Sequence, residues 1–476
     1  RRYNNNMNSE SSSGVSSDIM NSSADAVSAA DEQILTVKRS NKSGDLKPSC
    51  LTMCPLKEIE KRQECNEISV LEQLHPQVFP SKFTLKDTCV KKFRRSAADV
   101  DLSVNDEVRN PVTIERSMAF LEEWIMDRDR QGVDPRSGNV LDSLDVYQFM
   151  WDRTRMLRKD LLLQNIPSMT KHSKTTTTLD DLNIAIRVHE RITRWHVLCE
   201  HQLSHLDDWA QQTSQNVVEM GQCLKSLNML YDQRRRMVEA GAKSRQKASS
   251  SHGCKSAKVH GAPPVDYDGR SLDNSGSRNC IVGNGASDGT IEPEMRGLYI
   301  LLMFHQNTDF KNFLMTLPYD LHKTVEVKLA IEAVISLRHR DYAKFFKMLR
   351  SRCGYIYSCV LFKHVNTMRK TALQIMSKIY GRVPNEYPLE RLTRLLCFND
   401  DDETITQLKH YSIPYNENTR KVEFEHSTFS VPDKKIATRK MAVIELKVTR
   451  PRLYICRGGC ETVMGVKRKL MQIPSS

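Results

Sequence analysis

At 476 residues the chain exceeds the usual single-domain length of about 100–200 residues, so one large core or two smaller ones are expected. A hydrophobic share of 39% with a mean hydropathy of −0.52 describes folded parts diluted by polar stretches, and the net charge of +13 raises the question of an anionic partner. No apolar run of about 18 residues and no charged-then-apolar leader occurs, which argues against membrane spans and export and favours the nucleus or cytosol.

Residues 1–48 are rich in Asn and Ser with Tyr3 as the only aromatic, too little apolar area to offset ordering entropy, and are expected to be a disordered arm. Residues 49–110 form an N-terminal segment, followed over 111–240 by helical repeats. Val188, Ile192, Trp195, Cys199 and Leu206 mark one helix, and Val217, Met220, Leu224, Leu227, Leu230 and Tyr231 another. In residues 241–292 the apolar period vanishes among Ser, Gly, Asn and Pro, which predicts a disordered insertion. Helices resume over 293–382. Val327, Ile331, Val334 and Ile335 lead into an apolar stripe of Tyr342, Phe345, Phe346 and Leu349 whose opposite face carries Arg340, Lys344 and Lys347. The fold class predicted is mostly α, a helical-repeat α-solenoid platform. Over 383–432 the pattern changes. Helical stretches at 369–380, 389–398 and 403–410, then Ile413-Pro414-Tyr415 and the alternation of Val422 and Phe424, are the order of a winged helix. Residues 433–476 read as a basic tail.

Cysteine usage is odd-numbered at thirteen, and Cys199, Cys223, Cys353, Cys359 and Cys397 sit in helical stretches, as packed reduced thiols do. Cys50, Cys54, Cys65 and His75 are ligand types for zinc, but their spacing matches no paired-knuckle pattern, and no metal site is assigned. His201 and His205 lie four apart near Asp208, without the intervening Glu of the zinc-protease motif; with His189 and His196 they read as a solvated or packed histidine-rich face. Arg153, Arg155, Arg158 and Lys159 are flanked by Asp152 and Asp160 at helical spacing, so local pairing is preferred to phosphate gripping. No Gly-rich phosphate loop, Ser/His/Asp arrangement or paired-carboxylate site stands out, so no catalytic residue and no cofactor is assigned.

Most of the excess charge is concentrated. From Arg338 to Arg382 eleven Lys and Arg face the single acid Asp341. Arg338, Arg340, Lys344, Lys347, Arg350, Arg352, Lys363, Arg369 and Lys370 are the candidate nucleic-acid contacts, able to neutralise phosphates without reading bases. Residues 383–430 hold five Lys/Arg and nine Asp/Glu, with Asp400-Asp401-Asp402-Glu403 where a helix should begin. Acids suit the N-terminus of that helix but would repel DNA from a recognition helix. Asp401, Glu403, Ile413, Tyr415, Lys421 and Phe424 are therefore the candidate protein-partner contacts.

Several runs in order carry a family resemblance: Met53-Cys54-Pro55; Phe93-Arg94-Arg95-Ser96-Ala97-Ala98-Asp99; Trp151-Asp152-Arg153-Thr154-Arg155 with Arg158-Lys159-Asp160. Cys223-Leu224-Lys225-Ser226-Leu227 with Leu230-Tyr231-Asp232, Arg296-Gly297-Leu298-Tyr299-Ile300-Leu301-Leu302, Asp341-Tyr342-Ala343-Lys344-Phe345-Phe346 and Met368-Arg369-Lys370-Thr371-Ala372-Leu373 continue it. Over roughly Cys50 to Pro432 the chain resembles the central region of the Sac-three/GANP family. The resemblance implies a PCI-type fold, with residues 49–110 wrapping a helical platform that ends in a winged helix. It also implies a non-catalytic scaffold of nuclear mRNA export that joins a second PCI-domain subunit and a small acidic protein, at the nucleus and the nuclear pore. A centrosomal or spindle adaptor without RNA contact is the alternative within the family. Lys57 departs from the family's usual acid after the Cys-Pro pair, and residues 241–292 interrupt its helical run. No long amphipathic helix for centrin is expected in 447–476.

Overall fold

The computed structural model describes residues 48–75, 78–94, 105–131, 141–166, 177–251, 291–381, 386–425, 428–433, 436, 439–448 and 452–457. The disorder expected for the N-terminal arm and for most of the insertion falls outside these residues. The structure is mostly helical, as expected. Two short helices, α1 (Leu56–Glu64) and α2 (Leu85–Thr88), precede α3 (Pro111–Phe120), which starts at Asn110, whose side chain accepts from Thr113 N at 2.8 Å, with Pro111 in the first turn. A π-turn, Leu121–Ile125, and the short α4 (Arg128–Gln131) follow. Helix α5 (Ser143–Leu163) is capped by Asp142, and α6 (Leu179–Gln202) by a reciprocal Thr178–Asp181 box. Helix α7 (Trp209–Ser251) continues eleven residues into the segment expected to be unstructured, which moves that boundary to Ser251.

Helices α8 (Glu292–Met303), α9 (Asn307–Thr316), α10 (Tyr319–His322), α11 (Val325–Arg338), α12 (Tyr342–Ser351), α13 (Tyr355–Phe362) and α14 (Val365–Tyr380) complete the platform. One apolar core joins all of them, from Met53 to Cys456. Its axis is α6, which packs against α3, α5, α7 and α13. A helix surrounded on every side is ordinarily apolar all round, yet α6 buries His189, Glu190, Arg194, His196, Glu200 and His201. Most are satisfied by neighbouring helices, as buried polar groups must be. His196 Nδ1 donates to Asn216 Oδ1 at 2.6 Å, Asn216 donates back to His196 O and to Glu200, and Tyr231 donates to Glu190 at 2.5 Å. The packed reading of the histidines is the one realised here. Because α6 ends at Gln202, His205 lies beyond it and shares no helix face with His201.

Gly297 sits inside α8, where glycine costs about 1 kcal/mol relative to alanine. Its use is close approach: a Cβ there would stand 1.7 Å from the Tyr357 hydroxyl and 3.2 Å from the Glu326 carbonyl oxygen. That hydroxyl ties α8 to α11 by donating to the carbonyls of Glu294 and Glu326, each at 3.3 Å.

Beyond α14 come β1 (Glu386–Pro388), α15 (Leu389–Leu395), α16 (Asp401–His410), β2 (Tyr415–Asn416) and β3 (Lys421–Glu423). The sheet has the order β1-β3-β2, antiparallel throughout, with Tyr387 and Tyr415 both opposite the buried Val422. The helices and hairpin match the sequence reading. Strand β1 is an addition, hidden by its three-residue length and by Pro388, a residue confined to sheet edges and strand ends.

The reading of 433–476 as a basic tail is corrected in part. Helices α17 (Ala442–Glu445) and α18 (Arg452–Cys456) belong to a strap that returns across the platform. Lys447 Nζ donates to the carbonyl oxygens of Leu349 and Cys353 and to Ser358 Oγ, which offsets the loose carbonyls at the end of α12. Arg452 pairs with Asp129 at 3.0 Å, Cys456 is fully buried beside Met126, and Arg194 donates to the Cys456 carbonyl at 3.3 Å.

Two consequences are testable. Gly297→Ala should lower stability by about 1–3 kcal/mol in urea unfolding despite alanine's helix propensity, because overpacking outweighs it; Tyr357→Phe in the same chain should recover part of the loss. Burial also holds His189, His196 and His201 down to about 4, below the ordinary 6.5. The unfolded chain therefore takes up protons that the fold refuses, so their contribution is complete above about pH 6.5 and is lost as pH falls towards 4, by at most about 3 kcal/mol each. Unfolding free energy should be lower at about pH 5 than at about pH 7.5. A His201→Phe variant, which keeps a ring against Phe362, should show the shallower slope.

Candidate interaction surfaces

Inside the platform a recurring arrangement pairs buried or half-buried bases: one buried carboxylate is shared by two of them, from different elements except at Glu219, whose two arginines both lie on α5. Glu72 takes Arg62 and Arg153 and also accepts from Val90 N at 2.8 Å. Asp160 takes Arg109 at 2.6 Å and Lys91 at 3.3 Å. Glu219 takes Arg155 and Arg158, Glu122 takes Arg191 and Arg457, and Glu292 takes Arg235 and Arg296. An unpaired charge here would carry a desolvation cost of several kcal/mol, so each pair fixes the distance between its elements. The Arg153–Lys159 run is thus structural. Asp152 pairs with Arg153 as expected, whereas Asp160 turns to Arg109 and Lys91.

The candidate phosphate contacts divide in two. Helix α12 begins at Asp341, whose side chain accepts from Lys344 N at 2.9 Å, and buries Phe345, Phe346, Met348 and Leu349. Its outer face keeps Lys347 and Arg350 exposed and Lys344 half-buried. Arg340 precedes it at φ 55°, the left-handed turn that carries the chain from α11 into α12, and is exposed. Arg352 is exposed but paired with Glu332 at 2.5 Å. Arg350 donates to the Arg394 carbonyl at 2.8 Å, which brings the exposed Arg394 of α15, paired with Glu390, to the same edge. Sequence reading missed Arg394 because it assigned that stretch wholly to an acidic unit.

Arg338 lies over the Phe310 ring and donates to the Phe304 carbonyl at 2.6 Å, and Lys370 is half-buried. Lys363 and Arg369 require correction. The Lys363 ammonium is sealed from solvent with no hydrogen-bond partner among the described residues, and burial lowers its pKa. Arg369 is 2% exposed: it pairs with Glu403 at 2.9 Å, donates to the carbonyls of Leu396 and Cys397, and covers the Phe398 ring at 3.9 Å. It fastens α14 to α15 and α16, and phosphate cannot reach it.

The same pair removes Glu403 from the partner candidates, and Ile413 and Phe424, 3% and 2% exposed, belong to the core. The sequence reading puts both on the outer side of a hairpin, but both are buried. What remains outside is Asp401, paired with Arg420, Lys421, paired with Glu386 across β1 and β3, and the half-buried Tyr415. Asp400 caps α16 by accepting from Glu403 N at 2.6 Å, as the acidic run implied.

Of the residues weighed for zinc, Cys54 packs with Ile59 and Cys89 in a small cluster of its own, and burial pushes its thiol far up. Cys50 is buried beside Thr52, and Cys65 is exposed. Among the described residues no group of three or more His, Cys, Asp or Glu is placed to hold a metal ion, and no helix is long and apolar enough to cross a membrane.

Most of the N-terminal segment, the platform and the C-terminal unit as far as β2 fall within one family pattern, that of the SAC3/GANP family, which matches residues 53–248 and 283–417. Similar proteins include Protein xmas of Drosophila melanogaster, 25% identical over 387 residues, which are 80% of this chain and 15% of that protein. SAC3 family protein 1 of Schizosaccharomyces pombe is 24% identical over 383 residues, 77% of this chain and 30% of the relative. SAC3 family protein B of Arabidopsis thaliana is 22% identical over 410 residues, 84% and 20% respectively. The chain thus spans less than a third of the length of each of these relatives. With its family pattern spread over both the helical platform and the sheet-bearing unit that follows, the chain belongs to the SAC3/GANP family.

Proposed function

We propose that this chain is a non-catalytic scaffold of nuclear mRNA export, with a PCI-type platform ending in a winged helix. It holds a second PCI-domain subunit and a small acidic protein, and it contacts RNA through phosphates alone. The observation that carries this reading is the contrast between neighbouring solvent faces. The α12 edge presents Arg340, Lys344, Lys347 and Arg350, while the unit packed against it presents Asp401 and Asp402 beside the short sheet. A surface of like charges favours a polyanion. The acidic N-terminus of α16 disfavours nucleic acid where a winged helix would read bases, and so favours a protein there.

Charge reversal at Arg340, Lys344 and Lys347 together should weaken binding of single-stranded RNA and lower the slope of log affinity against log salt by about one for each phosphate no longer neutralised. Fluorescence anisotropy across a salt series measures both. Unchanged affinity and slope would move the RNA contact elsewhere, to the basic residues of 433–476, whereas no measurable binding by the parent chain would favour the centrosomal adaptor without RNA.

For the protein partner, Asp401→Lys and Lys421→Glu change half-buried surface charges that lie outside the apolar core. They should reduce co-purification of a second PCI subunit while the circular dichroism spectrum and Tm hold steady. Retained partner with loss of RNA would instead make the sheet-bearing unit the nucleic-acid contact.

A further inference from the structure

Large apolar side chains that reach solvent singly need no explanation, whereas a cluster of them marks a contact surface. Met315, Leu446, Tyr319 and Val325 are the four most exposed large apolar side chains among the described residues, at 84%, 83%, 75% and 72%. Three of the four share one corner of the platform. Met315 lies in the last turn of α9, Tyr319 opens α10 and Val325 opens α11. The chain folds back between them, since His322 Nε2 donates to the Leu314 carbonyl at 3.1 Å. This corner is held firmly from below: Leu317 and Leu321 are buried, Phe313 stands edge-on to Tyr299 at 4.6 Å, and Arg235 of α7 holds Asp320 at 3.2 Å. Its apolar groups are therefore presented to a partner with little further ordering cost.

The charge around them indicates what fits. Each of the three has a lysine about one helical turn away: Lys311 four residues before Met315, Lys323 four after Tyr319 and Lys328 three after Val325, all exposed. Side chains at that spacing lie on one helix face. The Lys323 ammonium stands 4.2 Å from the centre of the Tyr319 ring. Nearby acids offset little of this charge, because Asp320 is engaged by Arg235 and Glu326 is half-buried. Apolar anchors bordered by cations are complementary to a segment that carries apolar side chains beside carboxylates. A helix lying in a membrane surface offers one continuous apolar face, whereas these groups come from three separate helix ends, which favours a protein over a lipid surface.

We propose that this corner is a docking site for an acidic segment of a partner protein. Its apolar side chains pack on Met315, Tyr319 and Val325, and its carboxylates meet Lys311, Lys323 and Lys328. The 14 residues of α11 separate the corner from the α12 edge, and the site stands or falls independently of the RNA and PCI readings.

The test pans a phage-displayed library of random dodecapeptides on the full chain, with the double variant Met315→Glu/Tyr319→Glu as counter-selection. Enriched sequences should combine Asp or Glu with Leu, Ile or Phe. In fluorescence anisotropy a labelled peptide from that pool should bind Tyr319→Ala, and separately Lys311→Glu/Lys323→Glu, about tenfold or more weakly than the parent. Circular dichroism and Tm should hold steady, because every altered side chain is exposed. Tyr319→Ala should keep the parent's affinity for single-stranded RNA, which separates this site from the α12 edge. No enrichment, enriched sequences without acids, or equal binding to parent and variants overturns the proposal. So does binding of phosphatidylserine vesicles that the same variants abolish while no peptide is enriched, which would make the corner a membrane contact.

Discussion

The structure depends on sharing buried carboxylates between pairs of bases. A packed helix pair needs only complementary apolar ridges and tolerates some sliding. A guanidinium held to a buried carboxylate does not, because a displacement of a few ångströms exposes both ions to a low-dielectric interior. Glu72 therefore fixes α1 and α5 together, Glu122 fixes the π-turn after α3 against α6 and the strap, and Glu292 fixes α8 against α7. Such pairs add less to net stability than their number suggests, since desolvation offsets much of the attraction. They select one arrangement among the many that stacked amphipathic helices could adopt.

This changes the meaning of the net charge. Among the described residues, buried bases such as Arg62, Arg109, Arg153 and Arg296 are neutralised by carboxylates and so add nothing to the excess of +13. The basic stretch from 338 to 382 illustrates the point: Arg369 is a buried bolt, Lys363 a sealed ammonium and Arg352 one half of a surface pair. What solvent meets is a shorter edge on α12.

Helix periodicity was legible in sequence because it records burial of apolar residues at a fixed spacing, and α6, α7, α11 and α12 lie where that spacing put them. The order of helices and hairpin beyond α14 was legible from turn chemistry and alternation. Charged residues were not, since composition cannot tell whether Arg369 meets water or Glu403; that depends on a residue 34 positions away. The strap was hidden for a related reason. Lys447 and Arg452 read as tail charges, because only the folded chain brings the carbonyls at the end of α12 to the one and the carboxylate of Asp129 to the other. Val422 and Phe424 taught the converse: alternation named the inward side chains, and Phe424 then had to be removed from the partner surface.

The strap also bears on how the chain is made. Arg457 reaches Glu122 across 335 positions, and Arg452 reaches the Met126 carbonyl across 326. During synthesis the α3–α6 half leaves the ribosome long before either arginine does, so its Glu122 site holds one base instead of two and Cys456 is missing from its core. Contacts of such sequence separation form last and slowly. The nascent platform therefore waits with an unfinished, partly apolar seam, the kind of surface that chaperones hold, until the final turns of the strap arrive to seal it.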